Sequence, residues 1–164
     1  MLPKVLLLAL APLALTGCGL SPMYAGGGQG AVARAIAGVN VSAIEGKAGW
    51  LVRSALVDRL GAGAAGEPRY RLDVRLDEQL KGLGLLSNDA VTRERRTLRA
   101  RYQLVDLASG DILLDATVGA DAGVDIVSSE YAVIAAEQTA LENLSHEVAE
   151  QIVTRVATKL RKAL

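Results

Sequence analysis

The sequence contains no phenylalanine and only one tryptophan, one cysteine and one histidine. Without many large aromatic side chains, a hydrophobic core has to be built from leucine, valine, isoleucine and alanine. A single cysteine cannot form an internal disulfide, and it leaves no partner ligands for a transition-metal site. The one histidine, His146, lies in a predicted helix but off its apolar stripe, so we expect it to be exposed to solvent.

The sequence also lacks a recognisable catalytic set. No serine, histidine and aspartate stand at a spacing that suggests a triad. Residues 61–66 match the pattern GxGxxG, but they follow a helix and precede a strand, whereas a dinucleotide fingerprint needs the reverse order. Residues 26–30 lack the Gly-Lys-Ser/Thr of a P-loop. We therefore predict no enzyme activity, no metal and no cofactor, and an envelope hydrolase is the weakest alternative.

What is present begins at the N-terminus with the pattern of a lipoprotein signal peptide. One positive charge, Lys4, precedes an apolar run that is too short for the about 20 residues of a membrane-spanning helix. The motif Leu15-Thr16-Gly17-Cys18 follows, with small residues before the cysteine that admit the backbone to a narrow protease site. We expect residues 1–17 to be removed and Cys18 to be lipidated. The open alternative is an ordinary signal peptide followed by a chance cysteine.

Lipidation explains both the position of Cys18 and its being the only cysteine. One acyl chain binds a membrane marginally, at about 0.8 kcal/mol per buried CH₂, whereas the three chains of a lipidated N-terminal cysteine, palmitate among them, hold it firmly. Gly19 stands where aspartate would favour retention in the inner membrane, so we expect a periplasm-facing protein of the outer membrane. The glycine-rich segment 18–37 is predicted to be a flexible tether, and residues 38–164 to form one domain.

Alternating apolar and polar residues predict strands over residues 69–76, 92–105 and 112–118. A shorter alternation over 39–44 predicts a first strand whose place in the sheet is open, and the glycines in residues 81–90 indicate a loop. We expect the following side chains to face the core: Tyr70, Leu72, Val74, Leu76, Leu98, Ala100, Tyr102, Leu104, Ile112, Leu114, Ala116 and Val118.

Two amphipathic helices complete the prediction, over residues 48–60 and from about residue 130 to about residue 162. At about 1.5 Å per residue the second helix is about 50 Å long, so one end should project or kink. The predicted fold class is α+β: a two-layer sandwich of a four-stranded, mainly antiparallel sheet with two helices on one face.

Charge is unevenly distributed along the chain. After removal of Lys4 with the signal peptide, 17 basic and 18 acidic residues remain, which gives no case for nucleic-acid binding. The stretch 69–101 nevertheless holds nine basic and five acidic residues, and the stretch 102–154 holds ten acidic residues and no basic one. Matching the faces of the third and fourth strands places Arg101 opposite or diagonal to Asp115, as a surface ion pair.

Five further arginines are harder to neutralise locally and lie on the outward face of the predicted strands: Arg71, Arg75, Arg93, Arg95 and Arg99. A guanidinium group binds phosphate through two parallel hydrogen bonds, which suggests a site for a phosphorylated glycolipid such as lipopolysaccharide. The alternatives are a solvated face paired with Asp73, Asp77 and Glu94, or a face docked on another protein.

A further pattern consists of the opening Cys18-Gly19-Leu20-Ser21-Pro22-Met23-Tyr24 together with the segments 49–56, 70–74, 97–106 with Gly110, and 129–132. In these residues the chain resembles the LptE family of lipopolysaccharide-assembly lipoproteins. The opening is similar to the family's Cys-Gly-Phe-x-Pro-Leu-Tyr, with Leu20 in place of the usual aromatic residue, and the segments resemble its first helix, second strand, central hairpin and the start of its last helix. The resemblance covers nearly the whole mature chain.

The resemblance implies a plug inside the LptD-type outer-membrane β-barrel, which supports assembly of the barrel and assists lipopolysaccharide transport to the outer leaflet. The arginine-rich face would then be the candidate lipopolysaccharide contact, although no single arginine matches a family motif. An auxiliary lipoprotein of an ABC-type lipid transport system is the alternative, because such proteins also join a lipobox to a small α+β domain.

Overall fold

The computed structural model describes residues 30–61, 67–85 and 91–163. The predicted signal peptide, Cys18 and most of the predicted tether lie outside these residues. The elements in chain order are α1 (Ala31–Ala37), β1 (Val39–Val41), α2 (Gly46–Leu60), β2 (Tyr70–Leu85), β3 (Val91–Asp106), β4 (Ile112–Asp125) and α3 (Glu130–Ala163). The protein is therefore of the predicted α+β class. None of the helices over the described residues combines the length and the apolar composition of a membrane-spanning segment.

The four strands form one sheet in the order β1-β2-β3-β4. The β2–β3 and β3–β4 pairs are antiparallel, whereas β1 lies parallel to β2 through Val39↔Tyr70 and Val41↔Leu72. The sheet is thus mixed, and the prediction of a mainly antiparallel sheet is corrected. The reason is the α2 crossover, which returns the chain to the end of the sheet where β1 began, so that β2 runs in the same direction.

A helix stands where the sequence predicted the end of a flexible tether. Val32 and Ile36 of α1 are buried, and the backbone N–H of Gly38 closes the helix on the carbonyl of Arg34. Four-residue spacing places the two apolar side chains on one side of the helix, which packs against α3. The folded domain therefore begins by Ala31, and the described residues contain three helices rather than the two predicted.

The β2–β3 hairpin is longer than the sequence indicated. Pairing runs from Tyr70↔Asp106 to Leu85↔Val91, so β2 continues through the first half of the predicted loop. Gly82 and Gly84 indicated a loop because glycine is disfavoured in strands, but a long cross-strand register overrides that local preference. Residues 86–90 lie outside the described part of the chain.

Side chains with even numbers on β2, β3 and β4 face the helices, and we call this side of the sheet the inner face. The predicted inward residues of β2 and β3 have this orientation, and Leu72, Leu98 and Leu104 are fully buried. They form one core with the apolar sides of the three helices. Ile112 is the exception at 56% exposure, because a bulge pairs Leu104 with Leu114 but Val105 with Ile112 and turns Ile112 to the opposite side.

Helix α3 extends beyond the layer that covers the sheet. Its first buried residue is Ala140, whereas Tyr131 is 83% exposed and Ile134 is 55% exposed. Arg96 holds this projecting part to the sheet, since its Nη1 donates to the carbonyl of Glu137 at 2.7 Å and its Nε donates to Glu78 at 2.8 Å. The expectation that one end of the helix projects is met at its N-terminus.

Gly49 lets α2 pack closely against the segment that leaves β1. A Cβ atom at this position would lie 2.6 Å from the carbonyl oxygen of Ile44. We predict that Gly49→Ala lowers the free energy of unfolding by about 1–3 kcal/mol through this overpacking, although alanine is the better helix former. Urea unfolding measures the change, with Ser54→Ala on the same helix as control. A Gly49→Ala protein as stable as the wild type would contradict the close approach.

Candidate functional site

The five arginines predicted as an anion site all lie on the side of the sheet opposite the helices, which we call the outer face. Arg71 and Arg75 come from β2, and Arg93, Arg95 and Arg99 come from β3; all are exposed. They share a face because strand residues two apart point the same way and because the β2–β3 register pairs odd-numbered residues with odd-numbered residues.

Several outer-face arginines are already neutralised by neighbouring carboxylates. Arg71 Nε donates to Asp73 at 3.0 Å, and Arg93 Nε lies 3.3 Å from Asp125. Arg101 Nη2 donates to Asp115 at 3.0 Å along the diagonal between β3 and β4, as predicted. Asp115 also accepts a hydrogen bond from Nε2 of Gln103 at 2.9 Å. The hydrogen bonds from Arg101 and then from Gln103 lower the pKa of Asp115, and the contact with Asp115 raises the pKa of Arg101.

The other arginines are not neutralised in this way. Among the described residues, Arg95 and Arg99 have no hydrogen-bond or ion-pair partner, and Arg75 acts on Asp73 only through its charge. Of the carboxylates considered as partners, Asp77 lies directly opposite Arg99 across the two strands, but the hydrogen bond that it accepts comes from Gln79, at 3.1 Å. Glu94 pairs across the strands with buried Val124, which places its side chain on the inner face.

The strand register also brings like charges together. Arg75 lies directly opposite Arg101, and Lys81 lies directly opposite Arg95. Pairs of like charges at directly opposite positions destabilise a sheet by about 0.2–1 kcal/mol each. Lys81 was not among the predicted site residues, because the sequence indicated a loop there and only the observed register places it on the outer face.

Two cationic clusters result, each on the β2–β3 ribbon. The Arg75 cluster consists of Arg75 and Arg99, which are diagonal neighbours across the two strands. The Arg95 cluster consists of Arg95 and Lys81. Arg95 and Arg99 are four residues apart on one strand, so the two clusters are separated by about 13 Å.

Two glycines of β4 leave room beside the arginines of β3. A Cβ on Gly119 would lie 3.1 Å from Cγ of Arg99, and a Cβ on Gly123 would lie 3.1 Å from Nε of Arg93. The arginine side chains therefore lie across the glycine backbone of β4. Glycine inside a strand costs stability and often marks such a close approach.

An open polar depression adjoins the Arg75 cluster where β1 ends. Its volume is about 440 Å³, and Ser42, Asp73, Arg75, Arg101 and Gln103 are among the lining residues. Ser42 Oγ donates to Asp73 at 2.6 Å and links the end of β1 to β2. Partial burial of Asp73 raises its pKa, but the hydrogen bonds from Ser42 and Arg71 and the charges of Arg71 and Arg75 outweigh that effect. The pKa of Asp73 therefore lies below its ordinary value.

His146 lies on the exposed side of α3, as predicted from its place off the apolar stripe. Glu147 beside it is also exposed and lies within 3.5 Å of the amide nitrogen of Gln151, so the surroundings are those of an ordinary helix surface. The candidate functional site is therefore the cationic outer face, and His146 is not part of it.

Solved structures identify the class of protein. A putative lipoprotein from Caulobacter crescentus is 25% identical, with a TM-score of 0.68 over 79% of this chain and 96% of that chain. The rare lipoprotein B of Shewanella oneidensis is 10% identical, with a TM-score of 0.60 over 76% of this chain and 97% of that one. A minor lipoprotein of Acinetobacter baumannii is 15% identical, with a TM-score of 0.55 over 73% and 91%. The fold is that of small bacterial lipoproteins.

The family model described as lipopolysaccharide-assembly, LptE, matches residues 36–156. This match runs from α1 into the last turns of α3 and includes the whole sheet. The chain belongs to the LptE family of lipopolysaccharide-assembly lipoproteins. A comparison with curated proteins gives no match.

The pairing of Ser42 with Asp73 makes stability depend on pH. Because the pKa of Asp73 is lower in the folded than in the unfolded state, its contribution is present above about pH 4 and is lost as the pH falls through the folded value. We predict that Ser42→Ala lowers the free energy of unfolding by about 1 kcal/mol at pH 7, and by much less at pH 2. Urea unfolding at both pH values measures this, and an equal loss at both would contradict the charge-assisted bond.

Proposed function

We propose that this protein is an outer-membrane lipoprotein, anchored through Cys18, that plugs an LptD-type β-barrel and supports its assembly. In this role it assists the transport and insertion of lipopolysaccharide at the outer leaflet. Membership of a lipopolysaccharide-assembly family supports the role, and the described part of the chain offers a charged binding face rather than a catalytic set.

The observation that carries the lipopolysaccharide part of the proposal is the pair of cationic clusters on the outer face, whose arginines make no hydrogen bond or close ion pair with a carboxylate of the described residues. Each cluster places guanidinium or ammonium donors on a rigid strand pair, and the two are about 13 Å apart. Phosphate is bound well by arginine because the planar fork presents two parallel donors. A ligand that bears more than one phosphate would contact both clusters and would relieve the repulsion within them.

Of the five arginines in the proposed site, the structure favours three as ligand contacts. Arg75, Arg95 and Arg99 have no hydrogen-bonded carboxylate partner among the described residues, so binding a phosphate would not require breaking an existing pair. Arg71 and Arg93 contact Asp73 and Asp125, and we assign them to the edge of the site. Lys81 joins the site through its position opposite Arg95.

The shape of the domain supports the barrel-plug part of the proposal. The β2–β3 ribbon and the projecting start of α3 extend from the same end of the molecule, held together by Arg96, Glu78 and the Glu137 carbonyl. Exposed apolar side chains at this end include Leu80, Val127, Tyr131 and Ile134. An exposed apolar set of this kind is typical of a surface that meets a partner.

We predict that Arg95→Glu combined with Arg99→Glu weakens lipopolysaccharide binding by about tenfold or more, which corresponds to about 1.4 kcal/mol. Each cluster loses one of its two cations and gains a charge that repels phosphate. Titration of the folded full chain with purified lipopolysaccharide measures the affinity, and circular dichroism checks the fold.

The matched control for that variant is Arg53→Glu combined with Arg161→Glu, two exposed arginines on the helices that change the net charge by the same amount. We expect the control to bind lipopolysaccharide like the wild type. If the two double variants lose affinity equally, binding depends on net charge alone and the outer-face site is wrong.

The barrel partner is tested by co-purification. We predict that a tagged full chain, photo-crosslinked from Tyr131 or Ile134 in intact cells, forms an adduct with a large outer-membrane β-barrel, whereas crosslinking from exposed Glu150 on the same helix does so much less. Recovery of an inner-membrane transporter with its substrate-binding protein would instead favour the auxiliary lipoprotein of an ABC-type system and would refute the plug.

A further inference from the structure

The side of α2 that points away from the core carries a large aromatic side chain. Trp50 is the only tryptophan of the chain, and it is 66% exposed, whereas Val52 and Leu56 on the opposite side of the helix are fully buried. Among the described residues, its indole N–H has no hydrogen-bond acceptor. Tryptophan joins a large apolar ring to one donor, which suits a surroundings that is apolar on one side and polar on the other.

Two cations flank this tryptophan on the same helix. Lys47 lies three residues before Trp50 and Arg53 three residues after it, and residues three apart are neighbours on a helix surface. Both cations are exposed, and within the described part of the chain neither forms an ion pair or a hydrogen bond. The carboxylates of this segment, Glu45 and Asp58, lie further away along the chain, five and eight residues from Trp50.

An aromatic ring between two unpaired cations fits the surface of a phospholipid membrane better than the surface of a protein. Tryptophan is enriched where acyl chains meet headgroups. Lysine and arginine have long apolar stems, which let their charges reach lipid phosphates. A protein interface needs a packed patch around its central aromatic residue, whereas α2, which is described throughout, exposes no other large hydrophobic side chain.

The neighbouring helix α3 carries the opposite charge on its exposed side. Glu142, Glu147 and Glu150 lie there, and only Glu150 is close to a cation, at 3.7 Å from Arg59 of α2, among the described residues. Helix α3 donates side-chain hydrogen bonds to β4, so α2 occupies the β1 side of the helix layer. An anionic lipid surface therefore attracts the α2 side of the domain and repels the α3 side.

The proposed tether is long enough to bring this side of the domain to the membrane. Ala31 lines a depression together with Tyr70, so the tether leaves the domain near the start of β2. Glu45 lines a second depression with Arg75, about 17 Å along the strand from Tyr70. Because α2 runs back from there, Trp50 lies about 10 Å from the level at which the tether leaves. The about 40 Å that the tether spans at full extension exceeds this distance.

The anchor also decides whether so small a contact can form. One tryptophan and two cations bind a membrane only weakly by themselves. A lipid anchor makes the contact intramolecular, with an effective concentration set by the length of the tether. The contact therefore forms at the anchoring membrane, and it adds little to the affinity for lipopolysaccharide offered in solution.

We propose that the face of α2 formed by Lys47, Trp50 and Arg53 docks on the phospholipid surface that holds the lipid on Cys18. Docking rests on the anchor of the proposed function and not on the identity of the barrel. In this orientation the helix layer lies on the membrane side, and the outer face of the sheet points away from the membrane. The cationic clusters are thereby kept from phospholipid phosphates and stay open to another anionic ligand.

The fluorescence of Trp50 reports on this face alone, because the chain has no second tryptophan. The test places the full lipidated chain in vesicles of phosphatidylethanolamine and phosphatidylglycerol, either plain or with bromine atoms on the acyl chains. Bromine quenches an indole group only near contact. We predict that brominated vesicles lower the emission by about half relative to plain vesicles, because the ring lies where acyl chains meet headgroups.

A charge variant and a matched control test the contribution of the cations. Lys47→Glu places a carboxylate beside Trp50 and should reduce the quenching by about twofold or more, because it repels the lipid phosphates. Glutamate in the first turn of α2 also suits the helix dipole, so the fold should be kept, which circular dichroism checks. Lys162→Glu makes the same change in net charge at an exposed position of α3 and should be quenched like the wild type.

Flotation of the vesicles, measured on the same samples, distinguishes the anchor from the docking. A chain that floats with the vesicles but is not quenched keeps its anchor and overturns the docking of α2. A chain that does not float refutes the anchor and the docking together. Quenching of Lys47→Glu equal to that of the wild type would contradict the headgroup contact. Photo-crosslinking from position 50 in intact cells that captures a protein instead of lipid would also overturn the proposal.

Discussion

The register between β2, β3 and β4 is the constraint on which the rest of this structure depends. Because side chains alternate across a strand, a slip of one residue would exchange the two faces of the whole sheet. In the observed register Leu98, Tyr102 and Leu104 reach the core, and the arginines between them reach solvent. The core and the cationic face are therefore two results of one pairing, and neither can be moved without the other.

That pairing also explains why repulsive contacts persist on the outer face. Arg75 opposite Arg101 and Lys81 opposite Arg95 each oppose pairing by about 1 kcal/mol or less. A buried leucine side chain contributes about 1.5–3 kcal/mol, and several such side chains on the inner face favour the same register. The apolar layer thus outweighs the repulsion, which leaves positive charge available for an anionic ligand.

The sequence predicted most of the strand faces, because alternation is a local signal that survives in the fold. It failed where long-range pairing decides the outcome. Gly82 and Gly84 indicate a loop, yet β2 continues through them because β3 provides a partner. The inward assignment of Ile112 failed because a bulge near the hairpin turn shifts the register there, and a bulge leaves no alternation signal of its own.

The sequence also did not predict α1. This helix is too short to be recognised in a glycine-rich segment, and its apolar side becomes evident only from its packing against α3. The five arginines could be predicted to share a face. The contact of Arg71 with Asp73 joins residues two apart on one strand and is local, whereas the contact of Arg93 with Asp125 depends on the pairing of β3 with β4.

The position of α1 relates the proposed anchor to the binding face. The carbonyl of Gly38, at the end of α1, accepts hydrogen bonds from the N–H groups of Arg69 and Tyr70, so the chain enters the domain where β2 begins. Tyr70 pairs with Asp106 of β3, and Arg95 lies eleven residues from Asp106 on the same strand. The Arg95 cluster is therefore about 36 Å further along the sheet. The chain between Cys18 and Gly30 can span at most about 40 Å when fully extended. The proposed lipid on Cys18 would therefore hold the α1 end within about 40 Å of the membrane surface. The Arg95 cluster lies at the far end of the sheet from that anchor, whereas Arg75 is only five residues, or about 17 Å, from Tyr70. The two proposed clusters would thus lie at different distances from the anchor along one sheet, with the Arg75 cluster nearer to the membrane-tethered end.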